Sequence, residues 1–438
     1  MTGHITRSVH NMTRQTQAKG KKSPLQALTI SKDFTILLVS VSVVALGFGI
    51  LSPIMPTYAQ ERLGLDIAET GTIYSMYAVS FTIFMLPAGY LTDRLGRKPL
   101  ILVGIVTFGV TTLALLFVNE PWQFGVLRFV EGIGAALLTP AAFALTVDIV
   151  PESKRGLAMG AEASAELLGV LGGPALGGIL YDLFGFEAPF VSAAVLSFAC
   201  AALLTRIRDP GIRTSESKPS FFTIFQAWRR NARENRALMA VTTRGFVMGI
   251  VQGLWNLGLL WYWGDKFDMT PGEIGAAISL EVFVMILGSI PFGSMSDKVG
   301  RRPFILIGGA LMVSGLFFNV MIIDKWQVYV FVAVSALGAA MSNPSVGGML
   351  ADVMSKEERG RVMGAYQFIG GVGIFIGYTL LGYMYAAISP EAPIILCSIA
   401  LAAATLIIAL FVSETRQPET AKTPGTKAEP VGPESAEK

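Results

Sequence analysis

Long apolar runs alternate along the chain with short polar turns, and the runs fall in one length class. A helix rises 1.5 Å per residue, so about 20 residues cross the ~30 Å hydrocarbon core of a bilayer. Twelve runs reach that length, at approximately 35–58, 71–91, 100–118, 123–147, 157–181, 187–205, 237–262, 273–294, 303–322, 328–350, 361–385 and 391–412, and are numbered here as spans 1 to 12. Lipid offers backbone N–H and C=O groups no partner, which leaves helices and closed barrels as spanning structures. The Gly, Ala and Leu content lacks the polar alternation of a barrel strand, so the predicted fold is an all-α membrane protein of twelve transmembrane helices. The first apolar run is too long for a signal sequence and lacks a small-residue cleavage site, which predicts an uncleaved first span.

Composition supports this pattern. Strongly apolar residues make up 52% of the 438 positions and charged residues only 15%, against about 25% charged in ordinary soluble chains. A soluble enzyme is thereby excluded, and a net charge of +3 is too weak a bias to suggest nucleic acid as a partner. Cys200 and Cys397 both lie in apolar runs, so neither a disulfide framework nor a thiolate metal site is indicated. Placement of charge says more than its sum. Of 34 Lys and Arg, 29 fall on the side that holds the N-terminus, the even-to-odd connections, the middle linker and the tail, and only Arg62, Lys266 and Lys325 on the other. The positive-inside rule then predicts a multi-pass protein of the cytoplasmic (plasma) membrane with both termini in the cytoplasm. The expected organisation is a tail at 1–34, a six-helix bundle at 35–205, a basic linker at 206–236, a second bundle at 237–412 and a disordered tail at 413–438. Within the linker, Ser220 to Trp228 has the pattern of a short amphipathic helix on the membrane face.

Sliding the chain against itself by 204 positions aligns the two bundles. Gly89 to Gly104 falls on Gly293 to Gly308 with eight of sixteen positions identical, and Asp148, Arg155 and Gly156 meet Asp352, Arg359 and Gly360 at the same offset. Two copies of a six-span unit share one orientation in the membrane, the parallel-repeat arrangement with a cavity between halves near the midplane. Gly89-x-x-x-Asp93-Arg94-x-Gly96-Arg97-Lys98 and its copy at Gly293 to Arg302 resemble the cytoplasmic signature loop of the major facilitator superfamily. Leu46-Gly47 with Pro53-x-x-Pro56, Arg128-x-x-x-Gly132-x-Gly134, and Gly169-x-x-x-Gly173-Pro174-x-x-Gly177-Gly178 narrow the resemblance to its twelve-span drug:proton antiporter group.

That resemblance implies roles. Gly89, Asp93, Gly96, Arg97 and Asp148, with Asp297 and Arg301 in the second copy, form a cytoplasmic gate in which Asp93 faces the start of span 11 near Gly360 and Arg361. Topology alone needs charge nearby, but not an Asp and two glycines at fixed spacing. Gly169, Gly173 and Gly177 make one smooth helical stripe, and Pro174 loosens the same helix. In the family this antiporter motif, completed by Gly178, meets span 8 across the interface. A packing groove with no coupling role is the plain alternative.

Buried ionisable groups mark transport paths. Four acids lie within spans, Glu131, Glu162, Glu166 and Glu281, with two bases, Arg128 and Arg244. Glu162 and Glu166 are four apart on the stripe expected to face span 8, which carries Glu281. Proton coupling is assigned first to Glu166, then to Glu281, with Glu131 acting beside Arg128 and Glu162 nearby. A structural Arg128–Glu131 pair, or direct binding of a cationic substrate by Glu281, is the alternative, and span 1 lacks the acid that many close relatives place there. Candidates for the substrate cavity are Tyr74, Tyr77, Arg244, Trp255, Asn256, Trp261, Tyr366 and Gln367, while Trp261 and Trp263 also fit the interfacial anchors of a membrane protein.

The implied activity is secondary active transport: proton-coupled efflux of hydrophobic or cationic small molecules by alternating access. Its partners would be an amphiphilic substrate, protons and the lipid bilayer, with no cofactor beyond the proton gradient and a monomer as the expected state. A lipid or glycolipid flippase and uptake of a nutrient or organic anion are the competing readings, and a non-transporting scaffold the last. No GxxxxGK[ST] loop is present to support ATP-driven pumping.

Overall fold

In the computed structural model, residues 30–208, 221–354 and 359–414 are described, and they form helices joined by short turns. Among the described residues, eleven helices are long and apolar enough to cross a membrane: Lys32–Arg62, Arg97–Phe117, Pro121–Ile149, Glu152–Phe184, Glu187–Leu204, Arg236–Phe267, Pro271–Val299, Arg301–Met321, Trp326–Val353, Arg361–Ala387 and Ala392–Phe411. They are spans 1, 3 to 6 and 7 to 12. Span 2 is the twelfth long helix, Ile67–Leu95, 29 residues. Its Thr, Ser and Tyr residues lower its apolar character, because it packs between other helices and lines the cleft described below. The observed helices overrun the apolar runs by several residues, since helical caps lie in polar turns beyond the hydrocarbon-length segment.

Local chemistry sets the helix ends, and does so twice. Span 2 opens on a capping box of Asp66 and Glu69, and span 8 on one of Thr270 and Glu273, each pair 204 residues apart from its counterpart. Gln123 accepts the backbone N–H groups of Asn119 and Glu120, as Gln327 does those of Ile323 and Asp324. The sharp joins from span 2 to 3 and from span 8 to 9 turn on Gly96 (φ 90°) and Gly300 (φ 124°), where a side chain would be strained. Interior prolines recur in register at Pro87 and Pro291 and at Pro140 and Pro344. Pro174 has no such partner, and Tyr378 stands at the matching position.

Packing follows the repeat. Span 1 packs on spans 5 and 6, span 2 on span 4, and span 3 on spans 4 and 6. Span 7 likewise packs on spans 11 and 12, span 8 on span 10, and span 9 on spans 10 and 12. Between halves, span 5 meets span 8 and span 2 meets span 11. A rotation exchanging the halves turns the first seam into the second, so the two six-helix bundles are related by a pseudo-twofold axis. Both cysteines are buried in this packing.

The linker helix, Phe221–Glu234, docks on protein rather than lying free on the surface. Trp228 Nε1 donates to Thr242 Oγ1 of span 7 (3.2 Å), and the Phe225 ring meets Phe368 of span 11 edge-on. The expected tail disorder beyond residue 414 and the polar segment before residue 30 lie outside the described residues.

Candidate functional site

Among the described residues, the close contacts between the halves run from the midplane toward the face opposite the described chain ends. At that far face a Cβ on Gly178 would overlap Gly272 and the Pro271 carbonyl, and one on Gly275 would overlap the Pro174 carbonyl. The Ala175 N–H donates to Ser279 Oγ across the same seam, 3.1 Å. On the other seam Gly71 abuts the Tyr378 carbonyl, Gly382 the Ile67 carbonyl and Gly371 the Thr82 side chain. Toward the face that bears the chain ends, Gly89, Gly156 and Gly160 have nothing within 4 Å of an added Cβ. Among the described residues, the cleft is closed at the far face and opens toward the chain ends.

Three connected lobes fill the cleft. A central lobe of about 530 Å³ is lined by Tyr77, Phe81 and Thr82 from one half and by Gln252, Asn256, Tyr366, Gln367 and Tyr378 from the other. A second, about 320 Å³, holds Val170 and Pro174 opposite Trp255, Glu281 and Asn343. It shares Met248, Gln252 and Asn256 with the first. A third, about 360 Å³, reaches into the N-terminal half and is bounded by Glu162 and Glu166, and it joins the central lobe at Tyr77, Phe81 and Thr139. Most of the walls are apolar or aromatic, the lining of a pocket for a lipophilic ligand.

Polar groups on the cleft wall and directly behind it form a chain across it. Arg128 and Glu131 are paired at 2.8 Å, and the Glu131 side chain is 2% exposed. The guanidinium sits 5.0 Å from the ring centres of both Tyr74 and Tyr77, within cation–π range. Tyr74 meets Tyr378 of the opposite half edge-on at 5.4 Å. Asn256 Nδ2 donates to the Tyr378 hydroxyl (3.1 Å), and Gln252 Nε2 donates to Asn256 Oδ1 (2.9 Å). A π-helical turn at Leu254–Gly258 shifts the helix register, and Trp255 within it donates its indole N–H to Glu281. Tyr378 and Gln252 escaped the sequence reading because a lone Tyr or Gln in an apolar span carries no spacing signal. The repeat alignment held a clue, since Tyr378 replaces the unmatched Pro174.

The structure redistributes several sequence assignments. Gly169, Gly173 and Gly177 do not face span 8; they pack on span 1, against Ser42, Leu46, Gly49 and Ile50 of their own half. Pro174, Ala175 and Gly178, one helical step round, meet span 8, and Asp182 reaches its first turn. Glu162 and Glu166 accordingly line the N-terminal lobe and Glu281 another, with Val170 the residue common to both. Arg244 is 2% exposed behind the cleft wall, its Nη2 donating to Ser342 Oγ at 2.7 Å and touching Met312 Sδ at 3.9 Å. Packing among spans 7, 9 and 10 claims its side chain, which no charge pattern in sequence reveals. Trp263 is no interfacial anchor either: it is buried and donates to Asn319 Oδ1 (3.0 Å). Trp261 is buried as well and borders a shallow recess with Tyr385. The exposed tryptophans are Trp122 and Trp326.

In the signature loops, Arg97 pairs with buried Asp148 at 2.7 Å, and Arg301 with Asp352 at 2.7 Å and Asp297 at 3.2 Å. These pairs lie within each half. The side chain of Asp93, on which the expected latch between halves depends, lies outside the described residues. Among the described residues no group of three or more His, Cys, Asp or Glu is arranged to hold a metal ion.

The family model described as Major Facilitator Superfamily matches residues 37–256 and 245–436. Multidrug resistance protein 2 of Bacillus subtilis is 26% identical over 378 residues, covering 83% of this chain and 91% of that protein. The quinolone resistance protein NorA of Staphylococcus aureus (strain COL) is 23% identical over 395 residues, 88% of this chain and 98% of that one. Among solved structures, the nucleoside transporter NupG superposes with a TM-score of 0.72 at 14% identity, over 87% of this chain and 100% of that one. A bacterial homologue of the human lysosomal transporter Spinster, in an inward-facing and unoccupied conformation, gives 0.69 at 14% identity, over 89% and 96%.

Proposed function

The chain belongs to the Major Facilitator Superfamily, and from that premise we propose that it is a proton-coupled exporter of hydrophobic or cationic small molecules. The observation that carries this reading is the cleft: one continuous, largely apolar space between pseudo-symmetric halves, sealed at one face, with carboxylates on its walls. Relatives described as multidrug and quinolone resistance proteins support the cargo class. The distribution of Lys and Arg favours termini in the cytoplasm, which makes this arrangement the inward-open one.

In the transport cycle, substrate enters from the cytoplasm into the central lobe. Rocking of the halves about the 5–8 and 2–11 seams then closes the cytoplasmic side and parts the far face. Glu166 is the first choice as proton carrier, since it faces the open lobe and is reachable by water from the cytoplasmic side. Glu281, held by Trp255, and Glu131, held by Arg128, follow. The test is flux of an amphiphilic dye in proteoliposomes under an imposed pH gradient. Gradient-driven dye movement that Glu166→Gln uncouples from protons is the expected result. Absence of gradient-driven flux, with robust translocation of labelled lipid, would replace the exporter reading by a flippase.

A further inference from the structure

We propose that the lobe inside the N-terminal half is a subsite for the cationic group of a lipophilic substrate, held by Glu162 and Glu166. The inference rests on the exporter reading and specifies where its charged cargo sits.

The lobe has two carboxylates and no Lys or Arg on its walls. Glu162 is 3% exposed, and its Oε2 has no hydrogen-bond partner of standard geometry, although the Thr146 hydroxyl lies against the carboxylate. Ser40 Oγ, on the same wall, is also buried and without a partner. Buried polar atoms are nearly always satisfied, so two such atoms on residues of one cavity wall leave hydrogen-bonding capacity beside the lobe. The remaining wall is apolar and aromatic, with Phe48, Tyr77, Phe81 and Phe143. Ring faces beside a carboxylate recognise a desolvated organic cation better than a hydrated inorganic one.

Comparison of the halves gives an independent argument. At the offset of 204, Ser40 corresponds to Arg244 and Glu162 to Tyr366. Arg244 fills the equivalent place in the C-terminal half, and its neighbours there are Ser342, Met312 and Tyr366, with no carboxylate. One half thus presents a hollow with negative charge, and the other the same place filled by positive charge. A cation is admitted on one side of the pseudo-twofold axis and repelled on the other.

The experiment is equilibrium binding to the purified full chain in nanodiscs, with tetraphenylphosphonium as the cation and triphenylphosphine oxide as its neutral analogue. Glu162→Gln with Glu166→Gln keeps the shape of the lobe and removes its charge. Ser40→Arg copies the C-terminal arrangement into the N-terminal half. Both variants should weaken tetraphenylphosphonium binding at least tenfold, and the double Gln variant should leave the neutral probe within about twofold, which also reports an intact fold. Unchanged cation affinity in the double Gln variant would overturn the proposal. So would equal loss of both probes, or a wild-type chain that binds only the neutral one. Carboxylate-dependent cation binding without any proton-driven flux would keep the subsite and refute the exporter reading instead.

Discussion

Gly177 and Gly178 are adjacent in span 5, yet a single methyl group at each should act on different equilibria. In Gly178→Ala the new Cβ would lie 2.6 Å from the Pro271 carbonyl oxygen and closer still to the Gly272 Cα, both in the opposite half, whereas ordinary contact begins at 3.4 Å. Those atoms are backbone, so relief requires the halves to part by nearly an ångström at the far face. In Gly177→Ala the Cβ would lie 2.7 Å from the Ile50 carbonyl carbon of the same half, a contact that rigid-body rocking leaves intact. Overpacking of this kind costs about 1–3 kcal/mol. At Gly178 that cost falls on the closed form alone and should shift the conformational equilibrium about 5- to 150-fold toward opening of the far face. At Gly177 it falls on folding. The assay is the distance distribution between spin labels at Leu183 and Ile388, each 69% exposed and on opposite halves, together with thermal unfolding of each variant. Gly178→Ala should populate a longer distance with little loss of stability, and Gly177→Ala the reverse. Equal distance shifts in the two variants, or none in Gly178→Ala, would refute the argument.

Other expectations follow from the same geometry. Arg97→Gln removes the 2.7 Å ion pair with the Asp148 side chain, 4% exposed, and should cost about 3–5 kcal/mol in detergent unfolding, while Arg301→Gln should cost clearly less because Asp352 is 33% exposed. Glu414 accepts the backbone N–H groups of Arg301 and Arg302 at the start of span 9 (2.9 and 3.0 Å), so Glu414→Gln should cost about 0.5–2 kcal/mol by the same measurement. Tyr378→Ala removes the cross-half ring contact with Tyr74, worth about 0.5–1.5 kcal/mol, and should lengthen the label distance at the far face; Tyr378→Phe, which keeps the ring, should not.

Much of the architecture was legible because bilayer thickness and backbone hydrogen bonding leave few options, and because the repeat prints itself at one offset. Capping boxes, proline positions and the Arg97–Asp148 and Arg301–Asp352 pairs all obey that offset. Directions around a helix were less legible. A spacing of four residues identifies Gly169, Gly173 and Gly177 as one stripe but does not say which neighbour it meets; a step of one residue, about 100° round the axis, separates the stripe facing span 1 from Gly178 facing span 8. Trp263 and Arg244 were misplaced for a related reason. A residue type preferred at interfaces or in cavities is buried when a specific partner, Asn319 or Ser342, stands opposite it, and the partner is remote in sequence.

Three departures of the halves from their symmetry fall together at the cleft. Pro174 stands against Tyr378, Ser40 against Arg244 and Glu162 against Tyr366, and every one of these substitutions lies on the cleft or directly behind its wall. The symmetric residues, by contrast, hold each bundle together at helix ends and turns. Rocking requires two bodies that are alike enough to exchange the roles of their seams, and the repeated framework supplies them. A directional, charge-selective cycle requires the opposite, because a cavity with identical walls would hold a cation equally on both sides of the axis and give proton and cargo no reason to exclude one another. In the proposed exporter, the acidic hollow in one half and the filled, basic place in the other would supply that difference within an otherwise duplicated scaffold.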